Sequence, residues 1–301
     1  MARPTAETAA QAPVVAVERR WGGRRWRRRL GLSVPALIAL ALLVAGVGAD
    51  WLATHDPEFL NLGGRLQPPV FDGGSWDHVL GTDQVGRDIY SRLLYGARIA
   101  LIVVGIVVPG AALVGTLIGL VAGWVGGLTG QLLMRLVDVQ LALPAMLFAV
   151  LLASLVGPSL RNVIIILLIW TWPAYARLVR ADVLSLRERD FVTASQAVGA
   201  GPAWIMRKHL FPNVLNSIVI IMTLEVALVI LAEAALSFLG VGAPAGTPSW
   251  GRMISEGREF MHVAWWPIWL PGLALLTIAL TGNLMGDWVR DALDPRLRNV
   301  R

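Results

Sequence analysis

The chain contains no cysteine and only one lysine, Lys208, among its 301 residues. The missing cysteine excludes disulfides, thiolate metal sites and cysteine nucleophiles. The near-absence of lysine excludes a Walker-type nucleotide site, which needs a lysine after a glycine-rich turn to reach the β- and γ-phosphates. Lys208 instead follows Trp204-Ile205-Met206-Arg207. Charge is scarce as well. Charged residues make up 15% of the chain, where soluble domains carry about 25%. With 56% hydrophobic residues, such a composition suits a bilayer better than water. The four histidines, His55, His78, His209 and His262, include no pair at i, i+4 ligand spacing, so the sequence gives no reason to expect a metal or a cofactor on this chain. No Gly-x-Ser-x-Gly nucleophile elbow is present.

What fills the chain is apolar sequence. About 20 such residues cross the hydrocarbon as a helix, and six runs qualify. They lie near Leu30–Leu52, Ile99–Trp124, Leu136–Val156, Asn162–Val179, Val214–Gly240 and Val263–Met285. The expected fold is all-α and polytopic, with six transmembrane helices. Pro144 predicts a kink in the third run. The first run admits a second reading, a signal peptide cut near Val47-Gly48-Ala49. Its long basic lead and its full spanning length favour a retained helix. The chain divides into a basic tail over 1–29, a first span with its following loop over 30–96, and the main transmembrane domain over 97–301.

Arginine bias sets the orientation. Seven basic residues (Arg65, Arg87, Arg92, Arg98, Arg161, Arg252 and Arg258) fall in loops on one side, leaving 19 of the 26 on the other. The rule puts that majority, and with it both termini and the loop between spans four and five, in the cytoplasm of a multi-pass protein of the cell membrane. The arginine-rich tail can be read as a nucleic-acid arm. A topology signal lying on anionic lipid is the stronger reading, so no nucleic acid is expected as a partner.

One polar segment interrupts the apolar runs: "RDFVTASQAVGAGPAWIMRKHLFPNVL", residues 189–215. Ser185-Leu186-Arg187-Glu188 fits a capping box, with Asp190 as a second possible N-cap. Phe191, Ala194 and Val198 share one face at i, i+3, i+7. Gly199 can end that helix in a left-handed conformation. Gly201-Pro202 starts another, and Pro212 is expected to end it. Composition allows either an amphipathic helix on the membrane surface or a docking helix for a protein. The small, uncharged residues over 193–199 favour docking.

The segment resembles the "EAA" loop of binding-protein-dependent ABC importers, whose pattern is Glu-Ala-Ala, three residues, Gly, nine residues and a terminal Ile-x-Leu-Pro. Here Thr193 stands at the glutamate position, Ala194-Ser195 at the alanine pair, Gly199 at the glycine and Pro212 at the proline. "LGTDQVGRDIYSRLLYGARIAL" (80–101) and "GNLMGDWVRDALDPRLR" (282–298) are similar to further blocks of the dipeptide and oligopeptide branch, and the short loop after the first span resembles its C-type subunit. The resemblance covers about residues 30–298. It implies a permease subunit for peptides or, in the same branch, nickel or another solute. It also implies a homologous second permease subunit, ATP and magnesium bound on one or two separate ATP-binding subunits, and an extracytoplasmic solute-binding protein. The docking residues it implies are Asp190, Phe191, Thr193, Ala194, Ser195, Ala197, Gly199 and Pro212.

Two acidic residues lie within the fifth run. Glu225 is open to two readings, translocation path or buried packing, because an ionised carboxylate facing lipid is very costly. Glu233 has the same two readings, with a structural contact favoured. Gly115, Gly119 and Gly123 recur every fourth residue and predict close helix packing. Asp138 is placed near a membrane interface. Trp250, Trp265, Trp266 and Trp269 read as an interfacial aromatic belt. A self-sufficient secondary transporter would call for inverted repeats with paired broken helices, and an intramembrane enzyme for a catalytic constellation. The sequence offers neither.

Overall fold

The computed structural model describes residues 22–293, so Arg19, Arg20 and the last eight residues lie outside it. The described chain is helical: α1 (Gly22–Val47), a one-turn α2 (Ala49–Leu52), α3 (Ile89–Val125), α4 (Gly127–Ala142), α5 (Ala145–Val156), α6 (Leu160–Leu186), α7 (Asp190–Ala197), α8 (Pro202–Ile205), α9 (Phe211–Phe238), α10 (Trp250–Gly257) and α11 (Trp266–Leu293). The only β feature among the described residues is an isolated bridge between Thr82 and Asp88.

Among the described residues, four helices are long and apolar enough to cross a membrane: Ile89–Val125, Leu160–Leu186, Pro202–Phe238 and Trp266–Arg290. The third expected span is instead a broken pair, α4 and α5, bent by 88°. The break falls at Leu143-Pro144: Leu143 is extended (φ −78, ψ 135) and Pro144 caps α5. A residue before proline is driven out of the α region, and proline has no N–H to continue the ladder. Through the first expected span runs α1, Gly22–Val47, which is apolar over Val34–Val47. The long helices otherwise extend well past the hydropathy boundaries.

α3 is the axis of the fold. At 1.5 Å per residue its 37 residues measure about 55 Å, and it threads all three core clusters. Its glycine row is the seam against α6. A Cβ on Gly119 would sit 2.7 Å from the Ala176 carbonyl oxygen, and one on Gly123 2.7 Å from Val183 Cγ1. The backbones can approach this closely only because no side chain intervenes. Further along α3, Val103 and Val107 pack on Ala149 of α5, Val163 and Leu167 of α6, and Leu236 of α9.

The N-terminal end of α3 carries a loop layer built from residues 53–88 and 241–265. Trp250 and Trp266 belong to its core rather than to an aromatic belt: both are buried, and their indole N–H groups donate to the carbonyls of Leu93 (3.1 Å) and Thr82 (2.9 Å). Trp265 and Trp269 are the exposed members of the group, Trp265 donating to Asp72 Oδ2 at 3.0 Å. Rows of exposed leucines, among them Leu273, Leu276, Leu280 and Leu284 on α11, present an apolar exterior.

A candidate docking segment at one end of the bundle

The segment after α6 sits at the opposite end of α3 from the loop layer. α6 runs into the expected capping box and ends within it at Leu186, so Ser185 is a helical residue and no N-cap; Val179 and Val183 stay in register with Gly119 and Gly123. Arg187 then reaches back, its Nη1 donating to the Gly123 carbonyl at 3.2 Å. The N-cap of α7 is Arg189, in extended conformation and with no side-chain cap; Asp190 is the first helical residue rather than the N-cap. Its carboxylate lies in the first turn, where the helix dipole favours negative charge.

α7 is held by one apolar side chain. Val192 is fully buried in the cluster formed by Leu120, Val183, Ile205 and Leu210; such burial stabilises by roughly 1.5–3 kcal/mol. The expected apolar face is not the buried one. Phe191 is 40% exposed and Val198 is 85% exposed. The apolar pattern of so short a helix does not fix its face; Val192, off the expected face, is its one buried residue. What α7 leaves outward is therefore Asp190, Phe191, Thr193, Ala194, Gln196, Ala197 and Val198, mostly small and uncharged.

The end of α7 is a complete Schellman motif. Gly199 has φ +81; its N–H donates to Gln196 O (2.9 Å), and the Ala200 N–H donates to Ser195 O (3.0 Å). A Cβ on Gly199 would meet nothing within 4 Å, so glycine is required here by conformation alone.

Pro212 does not end a helix. α8, a π turn at Met206–Leu210 and α9 form one continuous helix, Pro202–Phe238. Pro212 cannot donate to the carbonyl four residues back and its ring crowds that turn. The chain responds by widening, the Phe211 N–H bonding to Met206 O. This turn holds His209 over α7. The Ser195 hydroxyl donates to Phe191 O (2.7 Å) and accepts from His209 Nε2 (3.1 Å), while the His209 ring packs on Phe191 and Trp204 at centroid distances of 5.7 and 5.0 Å. Sequence reading noticed His209 only as a poor metal ligand; the histidine three residues before a helix-borne proline was the available signal.

The two acidic residues of α9 part company. Glu233 is buried and accepts from Ser237 Oγ (2.7 Å), which itself accepts from the Ala243 N–H (3.0 Å), so it anchors the turn that leaves α9. Glu225 is half-buried on the same helix. Asp138 pairs with Arg177 across α4 and α6 at 2.7 Å, both side chains 57% exposed.

The loop layer carries a charged cluster that the sequence reading passed over. Arg87 binds Asp83 through Nε (2.6 Å) and Glu256 through Nη2 (2.5 Å). Arg252 holds the other Glu256 oxygen at 3.0 Å, and the wholly buried Arg92 reaches Glu256 at 3.5 Å and the carbonyls of Pro57 and Gly246. Burial pushes the Glu256 carboxyl up, but Arg87, Arg252 and Arg92 together outweigh it and hold it below the ordinary glutamate range. The layer also assembles His55, His78 and Asp88, a trio of possible metal ligands that sequence spacing could not show.

Residues 115–299 match the model of the binding-protein-dependent transport system inner membrane component. The chain belongs to that family. It is 44% identical over 290 residues, 96% of each chain, to the dipeptide transport system permease protein DppC of Escherichia coli K12. It is 42% identical over 265 residues, 88% of each chain, to the di/tripeptide transport system permease protein DppC of Pseudomonas aeruginosa. The fold matches a chain of the MetNI methionine ABC transporter, solved in inward-facing conformations, with a TM-score of 0.55 at 19% identity over 67% of this chain and 96% of that one. The protein is thus an inner-membrane transport component.

Proposed function

We propose that this chain is one permease subunit of an ATP-driven importer that carries peptides across the cytoplasmic membrane. The observation that carries the reading is the 44% identity to a dipeptide permease over 96% of both chains. In this reading the chain pairs with a homologous second permease subunit. ATP and magnesium are bound by ATP-binding subunits on the docking side, and a solute-binding protein delivers cargo to the loop layer. α7 enters the ATPase through Thr193, Ala194 and Ala197, with Asp190, Phe191 and Ser195 at the edges and Gly199 and Pro212 fixing the turn and the π-helical support. The small exposed residues and the rigid Schellman end support that role. Glu225, half-buried, is the better candidate for the translocation path; the hydrogen bonds of Glu233 support a structural role. Nickel or another solute is the alternative cargo within the same family.

The proposed topology has six spans, counting α1 and the bent α4–α5 pair as one each, with both termini and α7 cytoplasmic. Two experiments test these readings. The chain, expressed with its genomic neighbours, should co-purify with an ATPase chain and a second permease and support dipeptide uptake; on its own it should hydrolyse no ATP. Uptake confined to metal ions would replace the cargo, and ATPase activity in the isolated chain would overturn the division of labour. In a chain without native cysteine, Ala245→Cys should react with an impermeant thiol reagent on spheroplasts and Ala197→Cys should not. The reverse pattern inverts the topology.

A further inference from the structure

Three side chains from three separate segments converge in the loop layer. His55 lies in the turn after α2, His78 ends the 3-10 turn Trp76–His78, and Asp88 is the N-cap of α3. Their donor atoms all lie within 4.8 Å of one another. We propose that His55, His78 and Asp88 form a binding site for a divalent transition-metal cation of the zinc type, independent of the solute carried.

The spacing of the two inner ligands is close to what such an ion requires, and His55 must close in from within 4.8 Å. His78 Nδ1 stands 3.0 Å from Asp88 Oδ1. Two ligands of a tetrahedral zinc, at bonds of 2.0–2.1 Å, are separated by about 3.3 Å. Metal can therefore take the place of the proton these two atoms share, after an opening of a few tenths of an ångström. That proton leaves to solvent on loading. The donor set also selects the ion. Two imidazoles and one carboxylate suit zinc, cobalt or nickel, whereas magnesium and calcium take oxygen ligands. Three protein ligands leave a fourth position for water.

The surroundings hold the ligands in place, as the outer shell of a metal site must. Asp88 Oδ2 is occupied by the Ser91 N–H (2.8 Å) and the Thr54 hydroxyl (3.4 Å), which turns Oδ1 toward His78. The His55 N–H donates to Ser91 Oγ (3.1 Å), and His55 Nδ1 lies 3.1 Å from Thr54 Oγ1, so this ring is anchored to the same carboxylate. The two imidazoles face each other at 4.5 Å between centroids. Exposure falls from His55 through His78 to Asp88, giving an approach from solvent and a buried charge at its end. A hydrogen-bonded cap explains the His78–Asp88 pair; it leaves the placement of His55 without a role. The positive end of α3 opposes a cation, and the Asp88 carboxylate offsets it.

The test is a cobalt titration of the full-length chain, purified without a polyhistidine tag in detergent. With no cysteine in the sequence, no thiolate band overlies the visible absorption of four-coordinate cobalt. The expected result is saturable binding of one cobalt per chain, displaced by zinc, with proton release and a zinc-dependent rise in unfolding temperature. His55→Ala removes a solvent-side ligand, and Asp88→Asn keeps a helix-capping side chain while losing the carboxylate. Each should weaken binding by more than roughly 100-fold, since outer-shell changes alone reach that size. His209→Ala and His262→Ala should bind as the parent does. No saturable cobalt spectrum in the parent chain, parent-like binding in His55→Ala and Asp88→Asn, or loss of binding in His209→Ala or His262→Ala would each overturn the site.

Discussion

Ser195 Oγ lies 3.1 Å from His209 Nε2, joining α7 to the π turn within the helix Pro202–Phe238. Any force on α7 therefore has a polar route, as well as the apolar one through Val192, into Pro202–Phe238. His209→Ala removes the hydrogen bond and two aromatic contacts but leaves Val192 in place. The expected outcome is normal membrane insertion, with ATP hydrolysis by the assembled complex partly uncoupled from uptake. Hydrolysis and uptake measured together check this; an unchanged ratio assigns the coupling to Val192 alone.

Gly199 separates conformation from space. Its φ of +81 excludes a β-branched residue at about 1–2 kcal/mol, while a Cβ would touch nothing. Gly199→Val should weaken ATPase association, and Gly199→Asn, which tolerates the left-handed region, should weaken it less. Ala194→Trp should block docking by bulk with α7 intact, and Thr193→Glu should be tolerated. Co-purified ATPase per inserted chain is the readout. Parent-like recovery from both the Gly199→Val and the Ala194→Trp variants would return α7 to the surface-helix reading.

Much of this architecture was legible in the residues, for reasons that particular positions make plain. The glycine row on α3 and the left-handed Gly199 were readable because each answers a local steric demand. The break at Pro144 was readable as a kink; its full 88° was not, since proline dictates the loss of a hydrogen bond and packing dictates the angle. Pro212 misled because proline forbids one bond without forbidding the helix, and a π turn absorbs the difference. Trp250 and Trp266 misled because composition cannot tell an indole at a lipid interface from one buried over a carbonyl. The trio of His55, His78 and Asp88 lies across 34 positions of sequence and has no periodicity to announce it.

The glycines of α3 predict opposite responses to one methyl group. Gly119→Ala puts a Cβ 2.7 Å from the Ala176 carbonyl oxygen and must part α3 from α6. A destabilisation of about 1–3 kcal/mol is expected from overpacking. Gly105, on the same helix, has no neighbour within 4 Å of its would-be Cβ. Gly105→Ala should stabilise by roughly 0.5–1 kcal/mol, because alanine loses less backbone entropy in a helix. Thermal unfolding of both variants in detergent decides the matter; a Gly119→Ala variant that unfolds no lower than the parent would show that α3 and α6 do not make this close seam.

The cluster around Glu256 predicts an acid limit for the loop layer. Arg87, Arg252 and Arg92 outweigh burial and depress this carboxyl in the folded chain. Folding therefore favours the ionised form, and the stabilisation is fully present above the ordinary glutamate value of about 4.3. It is lost as pH falls below that value and through the lowered folded one, where protonation removes the anion between the arginines. Acidification from pH 7 to about 5 should leave the layer intact; below about 4.3 its unfolding temperature should drop. In Glu256→Gln the ion pairs are absent at every pH, which leaves Arg92 buried with less compensation. That variant should be less stable at pH 7 and should show a flatter acid limb than the parent. Thermal melts across this range, read by tryptophan fluorescence, give both quantities; a parental acid limb in the variant would assign the acid response to another carboxylate.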